Sequence, residues 1–390
     1  MTSLAETLEG RRAVIVAGSG GVGKTTTSAA IGLGLAAAGK RVCVITIDPA
    51  KRLADALGLE ELGNEPRQVD PSRFREHGIE VTGELWAMML DAKRTFDDLI
   101  ERLAPDEKSR DEILENRIYQ ELSSAVAGSQ EFTAIAKLYD LDRDGGFDVL
   151  ILDTPPSRNA LDFLDAPDRL TNFFEGRALK VFLAPTGIAA KVVGRGTSVV
   201  FAVLRKVTGV DLLDDVSVFF RALSGIMDGF RERAAGVKKL LADPSTTFLI
   251  VSSPQPEPIE EAIHFAGKLR EARHRIGALI VNRVDPGVAD PDPPDAAALA
   301  SLEAELTEEL GAPLARKVAR TMADARVLAD RDAASIAHLM DALGESGALL
   351  VPQLDDDVHD LEGLVHVGRH LFADDAERRR LMLAAAGLAA

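Results

Sequence analysis

The sequence predicts an α/β fold in which a mostly parallel sheet of about seven strands is flanked by helices and carries an inserted helical subdomain. The first observation is a series of short apolar runs separated by stretches of helical pattern. The second is a strand–helix–strand unit at the N-terminus, which is typical of neighbouring parallel strands. The third is the length of the helical stretches on either side of one central strand.

The N-terminal unit begins with an apolar run over residues 13–17 that ends in glycines, as a strand buried on both faces does. An Ala- and Leu-rich helix is predicted over 25–38, closing at Gly39, and residues 42–47 form the next strand. The remaining predicted strands cover residues 85–90, 149–152, 248–251, 278–281 and 349–351.

One enlarged domain is predicted over residues 1–390. Its helical subdomain is expected to form from about 92–142 and 160–243, on either side of the strand at 149–152. The acidic, Pro-rich stretch 285–295 is predicted to be a surface loop. Residues 374–390 are polar and then rich in Ala and Leu, which favours a flexible tail.

The composition excludes several classes of function. Lys and Arg number 45 against 62 Asp and Glu, a net charge of −17, so neither nucleic acid nor anionic lipid is an expected partner. No signal core or apolar run of about 18 residues is present, which favours a cytoplasmic protein. The single cysteine, Cys43, lies in an apolar strand and cannot form a disulfide or a Cys-rich metal centre within one chain.

The strongest motif lies between the first strand and the first helix, where residues 18–25 read GSGGVGKT. This is the GxxxxGK[ST] phosphate loop of P-loop NTPases, and its position is the one that the motif requires. Lys24 is expected to reach the β- and γ-phosphates, and the hydroxyl of Thr25 to bind Mg²⁺. The alternative is a glycine-rich turn with a solvated lysine. The predicted nucleotide-binding residues of this segment are Gly20, Gly21, Val22, Gly23, Lys24, Thr25 and Thr26.

Two aspartates end predicted strands at the same edge of the sheet. Asp153 follows the strand at 149–152 and is the predicted Walker-B carboxylate, which orders Mg²⁺ directly or through water. Asp48 follows the strand at 42–47 and could orient or deprotonate an attacking water. Either aspartate could instead cap a turn.

Three segments in order resemble the ArsA / tail-anchored-protein-targeting (guided entry) ATPase family: GGVGKTT at 20–26, TIDPAKRLAD at 46–55 and DTPPS at 153–157. Within the family the sequence is most similar to actinobacterial single-domain ArsA-like ATPases. The resemblance implies an ATP-hydrolysing, Mg²⁺-dependent, nucleotide-gated switch that works as a homodimer or as a heterodimer with a paralogous ATPase. It further implies a targeting or chaperone-like factor for hydrophobic protein cargo. The alternatives are the energising subunit of an anion or other membrane transporter, or a partition ATPase.

The resemblance also implies roles for particular residues. Asp48 belongs to switch I as the water-activating residue, and Asp153 begins switch II. Asn282 is expected to bind the adenine of ATP; the alternative is a turn former at a strand end. Pro352 is assigned to the adenine loop.

Three departures from the family pattern bear on function. The family usually has lysine at position 19, where this chain has Ser19, so Lys51, Arg158 or a partner chain replaces that cation, or hydrolysis is slow. The segment after Ser157 is Arg-Asn rather than Gly-His, which puts the coupling of switch II in doubt. One cysteine can form neither a thiolate arsenite site nor the CxxC zinc clasp of many targeting members.

Apolar residues are abundant in the second helical insertion, over 179–204 and at Phe219, Phe220 and Met227. They predict either the core of the subdomain or a groove for a hydrophobic segment. The basic run 378–380 is either a solvated helix end or a site of at most transient membrane contact.

Overall fold

A computed structural model describes residues 3–48, 51–117, 119–120, 130–155, 210–354, 357–358 and 360–387, with the backbone alone for 130 and 210–224. The predictions for Arg158, for switch II beyond Pro155 and for the apolar segment 179–204 concern residues outside these ranges.

The described residues form an eight-stranded sheet of strand order β3-β4-β2-β5-β1-β6-β7-β8. β1 pairs in parallel with β5 and β6, and β3 pairs antiparallel with β4. The strands are β1 (Ala13–Ala17), β2 (Arg41–Thr46), β3 (Arg67–Gln68), β4 (Glu84–Met89), β5 (Val149–Asp153), β6 (Thr246–Ser252), β7 (Ile276–Val284) and β8 (Leu349–Pro352). All seven predicted strands are present. The eighth, β3, has only two residues at the edge of the sheet and leaves too short a pattern to be recognised.

Helices cover the connections between strands. They are α1 (Leu4–Leu8), α2 (Lys24–Ala37), α3 (Arg52–Ala56), α4 (Pro71–Glu76), α5 (Ala92–Leu103), α6 (Glu107–Leu114), α7 (Gln130–Asp144), α8 (Val210–Ala242), α9 (Pro256–Glu271), α10 (Ala296–Leu310), α11 (Ala312–Leu343), α12 (Leu361–Phe372) and α13 (Asp375–Ala385). None of the helices in the described part of the chain is long and apolar enough to cross a membrane.

The chain divides into two compact units. The first comprises Met1–Met88, Gly146–Ala160 and Pro244–Ala390, and its core is the sheet, where β1, β5 and β6 are buried along their whole length. Cys43 is buried on β2. Buried positions on both faces explain why these strands read as unbroken apolar runs in the sequence.

The second unit comprises Met89–Gly145 and Leu161–Asp243. Its described core joins aromatic and aliphatic side chains of α5 to α8, with Phe96 against both Tyr119 and Phe230. One carboxylate, Asp140, binds Arg102 at 3.2 Å and also the buried Arg233. The buried carboxylate is thus neutralised by two arginines, as a charge in a protein interior must be.

The C-terminal segment differs from the loose tail predicted from residue 374 onward. Residues Asp375–Ala385 form α13, and the Asp374 carboxylate caps it by accepting from the Glu377 amide. Arg378 is buried, and its Nε donates to the His370 carbonyl at 2.8 Å. A run of three arginines reads as a solvated surface, but here the first one satisfies backbone carbonyls at the end of α12.

Candidate functional site

The phosphate-loop sequence connects the buried strand β1 to α2. Gly23 is the residue before the helix and has φ 91°, a left-handed conformation that glycine adopts without strain. A Cβ at Gly23 would overlap the side-chain amide of Asn282, so the loop also needs glycine for space. The loop thereby directs the N-terminus of α2, with its unpaired N–H groups, towards the neighbouring cavity.

Lys24 is buried and bends back over the loop. Its Nζ donates to the carbonyl oxygens of Gly18 at 2.8 Å and of Ser19 at 2.7 Å. Burial lowers the pKa of Lys24, while the carboxylates of Asp153 and Asp48 act in the opposite direction. An ammonium held by two carbonyls can transfer its hydrogen bonds to phosphate oxygens without moving far.

Asp153 is the central carboxylate of the site. Its Oδ2 accepts from Thr25 Oγ1 at 2.6 Å and from Thr46 Oγ1 at 2.8 Å. Its Oδ1 is buried and has no hydrogen-bond partner. Burial raises the pKa of Asp153 to about 6, although the two hydroxyls and Lys24 favour the charged form.

These oxygens fit Mg²⁺. The ion prefers one or two carboxylates plus hydroxyl, water and phosphate oxygens over a cage made of protein alone. Among the described residues no cluster of three or more His, Cys, Asp or Glu side chains is placed to hold a metal. The unpartnered Oδ1 of Asp153 and the adjacent Thr25 hydroxyl are the groups that would hold the ion.

Asp48 lies beyond the end of β2 and is tied to the same cluster. Its backbone N–H donates to Thr46 Oγ1 at 3.2 Å, so Thr46 contacts both aspartates. The Asp48 carboxylate also faces Arg52, with Oδ2 and Nη1 3.6 Å apart. Thr46 was not predicted as a site residue, although its place two residues before Asp48 at the end of a parallel strand was the available signal.

Asn282 lies near the end of β7 and faces the phosphate loop. Its Nδ2 donates to the Val22 carbonyl at 2.9 Å, which links β7 to the loop. The next residue, Arg283, has φ 61°, a left-handed conformation that is uncommon for a residue with a side chain. The amide that the family resemblance assigns to adenine therefore supports the loop in this structure.

A cavity of about 580 Å³ in the first unit gathers most of the predicted residues. Its walls include Gly21, Gly23, Lys24, Thr25, Thr26, Asp48, Asp153, Asn282 and Pro352. Gly20 and Val22 do not line it. Val22 is buried, and its carbonyl accepts the hydrogen bond from Asn282. Additional lining residues that sequence reasoning missed are Arg52, Asp55, Thr154, Arg283, Gln353, Leu354, Asp357, Val358 and Val367.

The position that the family usually fills with lysine is buried. The Ser19 hydroxyl has no hydrogen-bond partner, and Ser19 is not among the residues that line the cavity. Lys51, one predicted substitute, is exposed and does not line the cavity either. Arg52, its neighbour, does line it.

Comparison with known proteins adds three findings. A family model described as "Anion-transporting ATPase" matches residues 11–309. "Putative arsenical pump-driving ATPase 1" of Aquifex aeolicus is 29% identical over 280 residues, which are 70% of this chain and 64% of that protein. "ATPase ASNA1 homolog" of Cryptosporidium parvum is 26% identical over 276 residues, 70% and 64% of the two chains.

A third relative, "ATPase get3" of Aspergillus terreus, is 32% identical over 160 residues, 40% of this chain and 43% of that one. The chain thus spans less than two thirds of the length of the curated relatives it matches.

Proposed function

The chain belongs to the anion-transporting ATPase family, and from that membership we propose that it binds ATP with Mg²⁺ and hydrolyses it to ADP and phosphate. The observation that carries the proposal is the buried Asp153 carboxylate, which accepts from Thr25 and Thr46 and keeps its second oxygen unpartnered. A buried carboxylate without full hydrogen bonding is costly for a protein to maintain, and a bound cation accounts for that cost.

The triphosphate is bound by groups of the phosphate loop and of the N-terminus of α2. The amides at the N-terminus of α2 receive phosphate oxygens, and Lys24 exchanges the carbonyls of Gly18 and Ser19 for the β- and γ-phosphates. Thr25 and Asp153 hold the metal ion. Mg²⁺ held by these two residues would neutralise part of the negative charge of the phosphates.

Hydrolysis then depends on Asp48. Thr46 fixes the Asp48 backbone relative to Asp153, so that the carboxylate lies in the cavity with Lys24 and Thr25. In this position Asp48 orients a water molecule against the γ-phosphate and accepts its proton.

The test is nucleotide binding and Mg²⁺-dependent phosphate release by the full chain. Lys24→Ala should lose ATP binding, whereas the exposed Lys40→Ala serves as the matched control and should bind as the wild type does. Melting temperatures of both variants show whether the fold is intact. Equal ATP binding by a folded Lys24→Ala chain and the wild type would contradict the proposal.

We further propose, from the family resemblance of the motifs, that ATP draws two chains together into a dimer that shields hydrophobic protein segments. The described core of the second unit is closed around Phe96, Tyr119 and Phe230, so this proposal rests on the apolar sequence of the helical insertion. Light scattering with ATP and with ADP tests the dimer, and a monomer in both would contradict it. Addition of a peptide with a transmembrane sequence tests for cargo.

The second candidate function is the energising subunit of a transporter, which the arsenical-pump name of the Aquifex relative favours. The chain has a single cysteine, Cys43, and it is buried. Soft metalloids prefer several thiolates, so this argues against an arsenite site within the chain. Stimulation of phosphate release by arsenite or antimonite would favour the pump. Stimulation by a hydrophobic peptide alone would favour the targeting function.

A further inference from the structure

The cavity contains positive charge that the phosphate loop does not account for. Besides Lys24, the basic residues that line it in the described part of the chain are Arg52 and Arg283. Phosphoryl transfer places growing negative charge on the γ-phosphate and the leaving oxygen, and enzymes of this class offset it with an arginine supplied by the same chain or by a partner. The question is whether either arginine is placed for that purpose.

Arg52 is at the phosphate side of the cavity. Its Nη1 lies 3.6 Å from Oδ2 of Asp48, and the two residues share the cavity with Lys24 and Thr25. The Arg52 guanidinium thus lies at the end of the cavity that holds the phosphate-binding lysine and the Thr25 hydroxyl.

Arg283 is on the other side. It follows Asn282 on β7, and its neighbour Val284 pairs with Pro352 on β8. Asn282 and Pro352, which line the same cavity, are the residues that the family resemblance assigns to the adenine. The position of Arg283 therefore favours contact with the base or ribose rather than with the γ-phosphate.

We propose that Arg52 supplies, from within the same chain, the positive charge that stabilises the transition state at the γ-phosphate. The inference rests on the proposed ATPase function. It gives this chain a cation at the reacting phosphate. The buried Ser19, which stands where the family usually has lysine, cannot supply that positive charge.

The chemistry suits a guanidinium. It is charged at all relevant pH values, and its planar donors bind phosphate oxygens in pairs. The Arg52 side chain is 67% exposed and that of Asp48 23%, so their ion pair is weak and solvent-screened, and the guanidinium can leave it at little cost.

The step itself is hydrolytic. The water oxygen forms a bond to the γ-phosphorus as the bond from that phosphorus to the bridging oxygen breaks. The electron pair of the broken bond passes to ADP, and a proton of the water passes to the Asp48 carboxylate. Arg52 lowers the energy of this step by pairing with the γ-phosphate oxygens while their charge redistributes.

The experiment compares the wild-type chain with Arg52→Ala, Arg52→Lys and Lys51→Ala. Lys51 is the matched control because it is the preceding residue, carries the same charge, is exposed and does not line the cavity. Three quantities are measured: affinity for ATP, kcat for phosphate release, and retention of ADP with aluminium fluoride, which imitates the phosphoryl group in the transition state.

Arg52→Ala should bind ATP within about threefold of the wild type but lose kcat on the order of 100-fold. It should also fail to retain ADP with aluminium fluoride. Arg52→Lys should recover part of both losses, and Lys51→Ala should match the wild type in all three measurements.

Three results in Arg52→Ala would overturn the inference: wild-type kcat, wild-type retention of ADP with aluminium fluoride, or a loss of ATP affinity equal to the loss of kcat. An equal loss in Lys51→Ala would overturn it as well. A wild-type chain that neither binds nor hydrolyses ATP refutes the proposed function and this inference together. A wild type that hydrolyses ATP together with an Arg52→Ala variant of wild-type kcat refutes this inference alone.

Discussion

Asp153→Asn offers a test of the electrostatics of the site that needs no nucleotide. In the metal-free protein, burial raises the pKa of Asp153 to about 6 from its ordinary value of 3.8. Between these two values the folded chain holds a proton that the unfolded chain has released. The contribution of this group to stability is therefore complete below pH 3.8 and is lost as the pH rises through 6.

The magnitude follows from the two pKa values. Between pH 5.5 and pH 8 the wild type should lose about 0.8 kcal/mol of unfolding free energy through this carboxyl group. Asparagine does not titrate, so Asp153→Asn should not show this loss, and the stability of the variant relative to the wild type should rise by that amount.

The assay is urea denaturation with a metal chelator at the two pH values, for wild type and variant. A stability difference that does not change with pH, or that changes in the opposite direction, would refute the reasoning. Adding Mg²⁺ and ATP gives the second half of the test. The wild type and the exposed control Asp324→Asn should gain thermal stability, and Asp153→Asn should gain little because the metal ligand is gone.

Three further changes test other parts of the structure. Thr46→Val removes a hydroxyl that bonds Asp153 and the Asp48 amide, so urea denaturation should show a loss of about 1–3 kcal/mol and phosphate release should slow. In Gly21→Ala the added Cβ meets no atom, so the unfolding free energy should fall only by the cost of a left-handed backbone, about 1–2 kcal/mol. In Gly23→Ala the Cβ also overlaps the side-chain amide of Asn282, so this variant should unfold at a distinctly lower urea concentration. Burial, reinforced by two neighbouring basic residues, lowers the pKa of His370 to about 4 from 6.5, so protonation of the unfolded chain reduces stability as the pH falls from 6.5 towards 4. Between pH 7.5 and 5.5 the unfolding free energy of the wild type should fall by about 1.3 kcal/mol relative to that of His370→Phe, and urea curves of both chains at the two pH values measure this difference.

The sheet could be predicted because its central strands β1, β5 and β6 are buried on both faces. Residues such as Ile15 and Leu152 belong to apolar runs with no polar interruption, and the ends of these runs carry the glycines and aspartates of the site. The motifs at these strand ends also predicted the family, and the family model that matches residues 11–309 confirmed it. Local sequence thus determined most of the first unit.

Contacts between distant segments could not be predicted in the same way. The hydroxyl of Thr46 donates to Asp153, which is 107 residues away; the place of Thr46 at a strand end indicates that it is near the site but not that it makes this bond. Lys51 and Arg52 are neighbouring exposed basic residues that the sequence does not distinguish, and only the structure shows that Arg52 lines the cavity while Lys51 does not. The buried Arg378 depends on the carbonyls at the end of α12, which the sequence pattern does not reveal.

The most direct measurement of the central claim is single-turnover phosphate release by the full chain in excess over ATP, for wild type and Asp48→Asn. The account predicts that the wild type releases phosphate only when Mg²⁺ is present. Asp48→Asn should keep ATP bound and release phosphate at least about 100-fold more slowly, because the water is no longer oriented and has no base. Release by Asp48→Asn at the wild-type rate, or its absence in the wild type with Mg²⁺, would contradict the account.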